Sequence, residues 1–76
     1  WNSIPESKQE RIYYLAGLIV YEIEEMEIEE ILTDKEEFEL AVDETCFTIF
    51  GFEGKKFNEP VSNLLLSYYK EEIEFI

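Results

Sequence analysis

Nineteen carboxylates, a single cysteine and no histidine narrow the chemistry open to this 76-residue chain. Twelve of the carboxylates fall within 23 residues: Glu22, Glu24, Glu25, Glu27, Glu29, Glu30, Asp34, Glu36, Glu37, Glu39, Asp43 and Glu44. One basic residue, Lys35, lies among them, so the stretch carries −11 of the chain's −13. Like charge held this densely works against a compact state and calls for a reason.

Paired carboxylates can act as general acid and base. In a chain this acidic, pairs at any separation arise from composition alone. Such catalysis also wants a pocket that raises one pKa, which a chain of this length rarely encloses. Ser–His and Cys–His nucleophiles need an imidazole, and there is none. Ser3 and Ser7 read as helix caps, and Ser62 and Ser67 as ordinary helix residues. Gly17, Gly51 and Gly54 match no phosphate-loop spacing. We therefore expect no enzyme, no catalytic residue and no cofactor.

Metal binding fares little better. Glu22, Glu25 and Glu29 recur along one helix face, but the histidine of a Glu-x-x-His di-iron motif is missing. No run of Asp/Asn with a central Gly marks a calcium loop. We expect no dedicated metal site. Direct nucleic-acid binding is disfavoured by sign, because Lys8/Arg11 and Lys55/Lys56 cannot neutralise a phosphate track. Anionic membrane surfaces are disfavoured for the same reason. An uncharged run as long as Ile12–Tyr21 is far below the ~18 residues of a membrane span. No basic region precedes it, so it does not read as a signal peptide.

What remains is the acidic face. Carboxylates three or four residues apart on a helix sit ~5–6 Å from each other. A duplex presents phosphates every ~3.4 Å along each strand's axis. An acidic helix pair thus offers charges at a spacing resembling a nucleic-acid backbone, and would be drawn to the basic cleft of a nucleic-acid-handling protein. Inhibitors acting by mimicry, immunity proteins and antitoxins share this design as an analogy of charge and size. An ordinary solvated helix face would interleave lysines at four-residue spacing, and Glu22–Glu30 has none. The partner-binding set expected is Glu24, Glu25, Glu27, Glu29, Glu30, Glu36, Glu37 and Asp43, with Tyr21. Tyrosine is common at interface cores because it buries area while keeping a polar handle, and Tyr13, Tyr14, Tyr21, Tyr68 and Tyr69 exceed what a small core needs.

The elements that position these residues follow from periodicity. Ser3-x-x-Glu6 and Ser7-x-x-Glu10 both fit a capping box, with Pro5 tolerated in a first turn. Ile12, Leu15, Ala16, Ile19, Ile23 and Met26 then follow helical spacing. After Met26 the phase slips, so Ile28, Ile31 and Leu32 lie off the stripe, and the helix bends, breaks or turns a second face. Unbroken from 7 to 32 it would be ~39 Å long, more than this domain can cover, which would favour a homodimer through helix one. Thr33–Glu36 is a further capping box, with Asp34–Glu37 as an alternative register. Helix two is read as 34–50, with Gly51 as its left-handed stop and Phe52 packing back. Asn58 is expected to cap a third helix with Pro60 in its first turn. Val61, Leu64, Leu65, Tyr68 and Glu72 or Ile73 would form its inward face.

The fold class expected is all-α: one acidic helical domain over 1–76, a bundle of three or four helices. The alternative is α+β with a hairpin near 45–57, where Thr45–Phe50 is rich in β-branched and aromatic residues and Glu53-Gly54 offers a turn. Twelve aromatic residues and 46% apolar content separate the chain from a disordered acidic tail. One cysteine, Cys46, permits no intrachain disulfide and fits a reducing, cytoplasmic setting. A chain starting on Trp1 leads us to expect that a leading Met, or more, has been removed. The function expected is that of an acidic inhibitor or immunity-type protein for a basic, nucleic-acid-binding partner. The alternative is a helical assembly or scaffold module built on the stripe Ile12, Leu15, Ile19, Ile23 and Met26.

Overall fold

Residues 5–73 are described by a computed structural model of the chain. They form α1 (Lys8–Glu24), the one-turn α2 (Glu30–Thr33), α3 (Lys35–Phe50), a 3₁₀ segment (Gly51–Phe57) and α4 (Asn58–Tyr68). The all-α expectation holds. No strand occurs among the described residues, so the hairpin over 45–57 is corrected. Residues 45–50 are instead the last turns of α3, and 51–57 are the 3₁₀ segment. The β-favouring composition of Thr45–Phe50 is overridden by packing, because Phe38, Val42 and Cys46 keep a four-residue step into the core.

Caps and phase set the helix ends. Ser7 stands at the N-cap of α1 with extended backbone, but its side chain makes no capping bond, so the Ser7–Glu10 box does not form. The Ser3–Glu6 box includes Ser3, which lies outside the described residues. At α3 the Asp34 register is the one realised. The amides of Glu36 and Glu37 donate to Asp34 Oδ1 at 2.9 and 3.4 Å, a cap worth about 1 kcal/mol. Gly51 ends α3 at φ 65°, and its amide donates to the Phe47 carbonyl. Phe52 meets Phe47 edge-on at 5.5 Å, the contact back onto the helix that the spacing predicts.

The phase slip after Met26 is a break. Helix α1 stops at Glu24, and the amides of Met26 and Ile28 reach back to the carbonyls of Tyr21 and Glu22 at 3.3 and 3.2 Å. Glu27 takes φ 57° between them. A side chain in this left-handed region costs roughly 1–2 kcal/mol. The single helix 7–32 therefore does not form, and the length argument for a dimer goes with it. Released from the phase of α1, Ile31 and Leu32 enter the core on their own turn.

The core joins Leu15, Ala16, Ile19 and Ile23 of α1 to Phe38, Val42 and Cys46 of α3 and to Val61 and Leu65 of α4. Ile31, Leu32, Phe57, Tyr69 and Ile73 complete it. No charged or polar side chain is buried among the described residues. Helices α1 and α3 run antiparallel, because Arg11 in the first turns of α1 lies over the ring of Phe50, the last residue of α3, at 4.9 Å.

Two expectations for α4 are corrected. Asn58 is the first residue of α4 rather than its cap, because the 3₁₀ segment runs straight into the helix and leaves no extended cap position. Its side chain instead donates from Nδ2 to Asp43 Oδ1 at 2.9 Å. Tyr68 is exposed, and Tyr69 is buried in its place. The inward face runs Val61, Leu65, Tyr69 and Ile73, a step of four residues.

Gly54 is fixed by its neighbour. A Cβ there would collide with the backbone carbonyl of Cys46, whereas a Cβ at Gly17, exposed on α1, meets nothing within 4 Å. Runs of 3₁₀ longer than three or four residues are uncommon, and this close approach helps to hold a seven-residue one against α3. Gly54→Ala is expected to cost about 3 kcal/mol or more, since neither backbone can yield cheaply. Gly17→Ala is expected to gain about 0.5–1 kcal/mol from helix propensity. Thermal melts of the two variants check both signs.

Candidate functional site

The carboxylates of Glu22–Glu44 gather at one end of the molecule. They occupy the last turn of α1, the loop after it, α2 and the N-terminal two-thirds of α3. Of the six cations, Lys8 and Arg11 lie at the start of α1, and Lys55 and Lys56 lie in the 3₁₀ segment that packs against Cys46 of α3. Among the described residues the sole ion pair is Lys56–Glu53, at 3.9 Å and exposed. Among those residues no carboxylate from Glu22 to Glu44 takes part in one.

The helix ends treat this charge unequally. Glu36 and Glu37 sit in the first turn of α3, where the helix dipole favours them. The last turn of α1 holds Glu22 and Glu24 and no basic residue, against the dipole.

Of the expected partner-binding residues, Glu25, Glu27, Glu29, Glu30, Glu36 and Glu37 are exposed. Tyr21 is 57% exposed beside them. Two others have structural bonds. Glu24 accepts from the Tyr69 hydroxyl at 2.8 Å, tying the end of α1 to the turn after α4. Asp43 is half-buried and holds Asn58, tying α3 to the start of α4. Of the other tyrosines, Tyr13 and Tyr68 are exposed, Tyr14 is half-buried and Tyr69 is in the core.

Beside the charge lies a groove of about 450 Å³. Its walls are Leu18, Tyr21 and Glu22 of α1, Met26 and Ile28 of the loop, Ile31 of α2, and Glu37, Leu40, Ala41, Glu44, Thr45, Thr48 and Ile49 of α3. Met26 is 57% exposed and Leu40 49%. The spacing 37, 40, 41, 44, 45, 48 is one helix stripe, adjacent to the core stripe of 38, 42 and 46. Leu40 escaped the sequence reading because it lies off that core stripe. An apolar residue at that displaced position was the available signal. Ile28 also lines the groove, which is the second face that its phase slip implies.

Both tying carboxylates perturb a neighbour. Burial, then the Tyr69–Glu24 hydrogen bond, raises the Tyr69 hydroxyl well above its ordinary 10. Burial, then the charge of Asp43, raises the Cys46 thiol from 9.0 to about 11. Among the described residues no cluster of three or more His, Cys, Asp or Glu could hold a metal ion. No described helix is long and apolar enough to cross a membrane. No family model, curated protein or solved structure matches this chain.

Tyr69 and Cys46 are acids whose neutral forms the fold prefers. Their contribution to stability is whole below pH 9 and declines as pH rises through 9–11 and beyond. Chemical denaturation between pH 8 and ~11 should show this loss, reduced in Tyr69→Phe above pH ~10, the unfolded tyrosine value. The unpaired carboxylates set a second expectation. Raising NaCl from ~20 to ~300 mM should screen their repulsion and raise the Tm by roughly 4–8 °C, the equivalent of about 1 kcal/mol. A flat or falling Tm would show that the repulsion is already relieved.

Proposed function

We propose that this protein binds and blocks a basic, nucleic-acid-handling protein in the manner of an inhibitor, immunity protein or antitoxin. Its acidic end enters the cleft that otherwise takes a phosphate backbone. One observation carries the reading: twelve carboxylates are concentrated in Glu22–Glu44, and among the described residues none of them takes part in an ion pair. A surface kept soluble by charge alone would gain from Glu–Lys pairing at four residues, and this one forgoes it. A basic partner supplies the missing cations. The buried thiol of Cys46 and the lack of any second cysteine suit a reducing, cytoplasmic setting.

The assembly reading has less to draw on. Of its helix-one stripe, Leu15, Ile19 and Ile23 already fill this chain's own core, and Ile12 packs against it. A second copy would reach only Met26 without opening the fold. Sedimentation separates the two, since assembly through α1 requires a salt-insensitive dimer.

The test begins with tagged protein in lysate at ~50 mM salt. The expected capture is one basic protein, stoichiometric, released by competing DNA. Replacing Glu25, Glu29 and Glu30 together by Gln removes three charges that make no structural bond. Association should slow by about tenfold at low salt and its salt dependence should flatten, with dissociation little changed. An unchanged association rate and salt dependence would end the proposal.

A further inference from the structure

The charge is only half of the acidic end, and the groove beside it bears on what the partner must offer. We infer that this groove receives the apolar face of a cationic amphipathic helix belonging to the partner. The inference rests on the reading of the acidic end as a docking surface and adds the chemistry of the segment recognised there.

Three observations carry it. First, the floor is apolar and open: Tyr21, Met26, Ile28 and Leu40 are each more than a third exposed, and all four line the same depression. Contiguous exposed apolar surface of this kind marks interaction sites. Second, the rim is acidic on both sides, with Glu22 on α1 facing Glu37 and Glu44 on α3. Glu37 and Glu44 are seven residues apart, so two turns or about 10.5 Å separate them along the helix axis. A bound helix with lysines or arginines at the same two-turn interval would meet both while its leucines enter between. Third, like charge disfavours the simplest occupant. A second copy of this chain would bring its own −11 stretch to the same rim.

The volume agrees with side chains rather than with a whole domain. About 450 Å³ lies within the roughly 300–1,000 Å³ of pockets that take compact apolar ligands. Helix-in-groove recognition reads anchors at i, i+3, i+4 and i+7, and a methionine on the wall suits it because the thioether adapts to irregular shapes. A second depression, between the starts of α1 and α4, is lined by Lys8, Tyr13, Pro60 and Leu64 among others. No carboxylate stands on its rim, so charge names no occupant for it.

The experiment uses two synthetic helices of equal length and charge. One carries Leu at i, i+3, i+4 and i+7 on a lysine background, and the other carries Ala at those positions. Binding is read by fluorescence anisotropy at ~150 mM NaCl, on the wild type and on Leu40→Gln/Met26→Gln. Both substitutions are at half-exposed sites and keep the charge, so the fold is retained, which a melt verifies. The Leu peptide is expected to bind the wild type at least ~10-fold more tightly than the Ala peptide, and the double variant to lose that preference. Equal binding of both peptides to the wild type would overturn the groove while leaving the charged docking surface in place. Undiminished preference in the double variant would do the same. No binding of either peptide, at ~50 mM as at ~150 mM salt, would sink the docking surface as well. Self-association that the double variant abolishes would make the occupant a second copy and overturn the inference.

Discussion

Repulsion among like charges is the constraint around which this molecule is built. Two carboxylates ~6 Å apart in water repel by about 0.7 kcal/mol, and the Glu22–Glu44 stretch holds many such pairs. Against them stands a thin core of fourteen apolar residues, each contributing at most about 1.5–3 kcal/mol when fully buried. The usual relief would be interleaved lysines, and the stretch has one, Lys35. Relief comes from neutral donors. Asp34 takes two backbone amides, Asp43 takes the Asn58 amide and Glu24 takes the Tyr69 hydroxyl. Each bond holds a carboxylate in place without cancelling its charge. The acidic end is therefore fastened to α4 by neutral donors.

The ending of α1 follows from the same constraint. A helix continuing past Glu24 would carry Glu25, Glu27, Glu29 and Glu30 toward its own negative end. It would also rotate Ile28, Ile31 and Leu32 away from the core. Stopping at Glu24 and accepting a left-handed Glu27 costs roughly 1–2 kcal/mol. In return, Ile31 and Leu32 are buried, and Met26 and Ile28 come to line the groove with α3. Core closure and groove formation thus depend on one backbone break.

Local signals were legible where one residue controls one turn. Asp34 capped, Gly51 stopped and Phe52 folded back as their positions predict. The break near Met26 was legible as a change of phase, though its form was not. Failures came where a second element decides. Thr45–Phe50 looks like strand until Cys46 is seen packed against Gly54. Asn58 looks like a cap until Asp43, fifteen residues earlier, claims its side chain. Tyr69 rather than Tyr68 is buried because Glu24 waits for its hydroxyl. The charge of the candidate surface could be counted in the sequence. Its groove could not, since Leu18 and Tyr21 of α1, Met26, Ile31 and Leu40 lie on separate elements and meet only through tertiary packing.

Charge and groove would divide the work of recognition by distance. At physiological salt the Debye length is about 8 Å, so on the proposed reading the acidic end would act over the last nanometre of approach and raise the encounter rate without choosing finely among basic partners. Discrimination needs contact, and apolar contact is insensitive to salt. A surface that imitated a phosphate backbone and nothing more would have no use for a half-exposed Tyr21, Met26 and Leu40 set between Glu22, Glu37 and Glu44. Such residues invite aggregation unless repulsion keeps copies apart, and the −11 stretch around them would oppose such contact. On the proposed reading, the same charge that destabilises the fold would allow an apolar groove to stay open, and the groove would give the charge a partner to select.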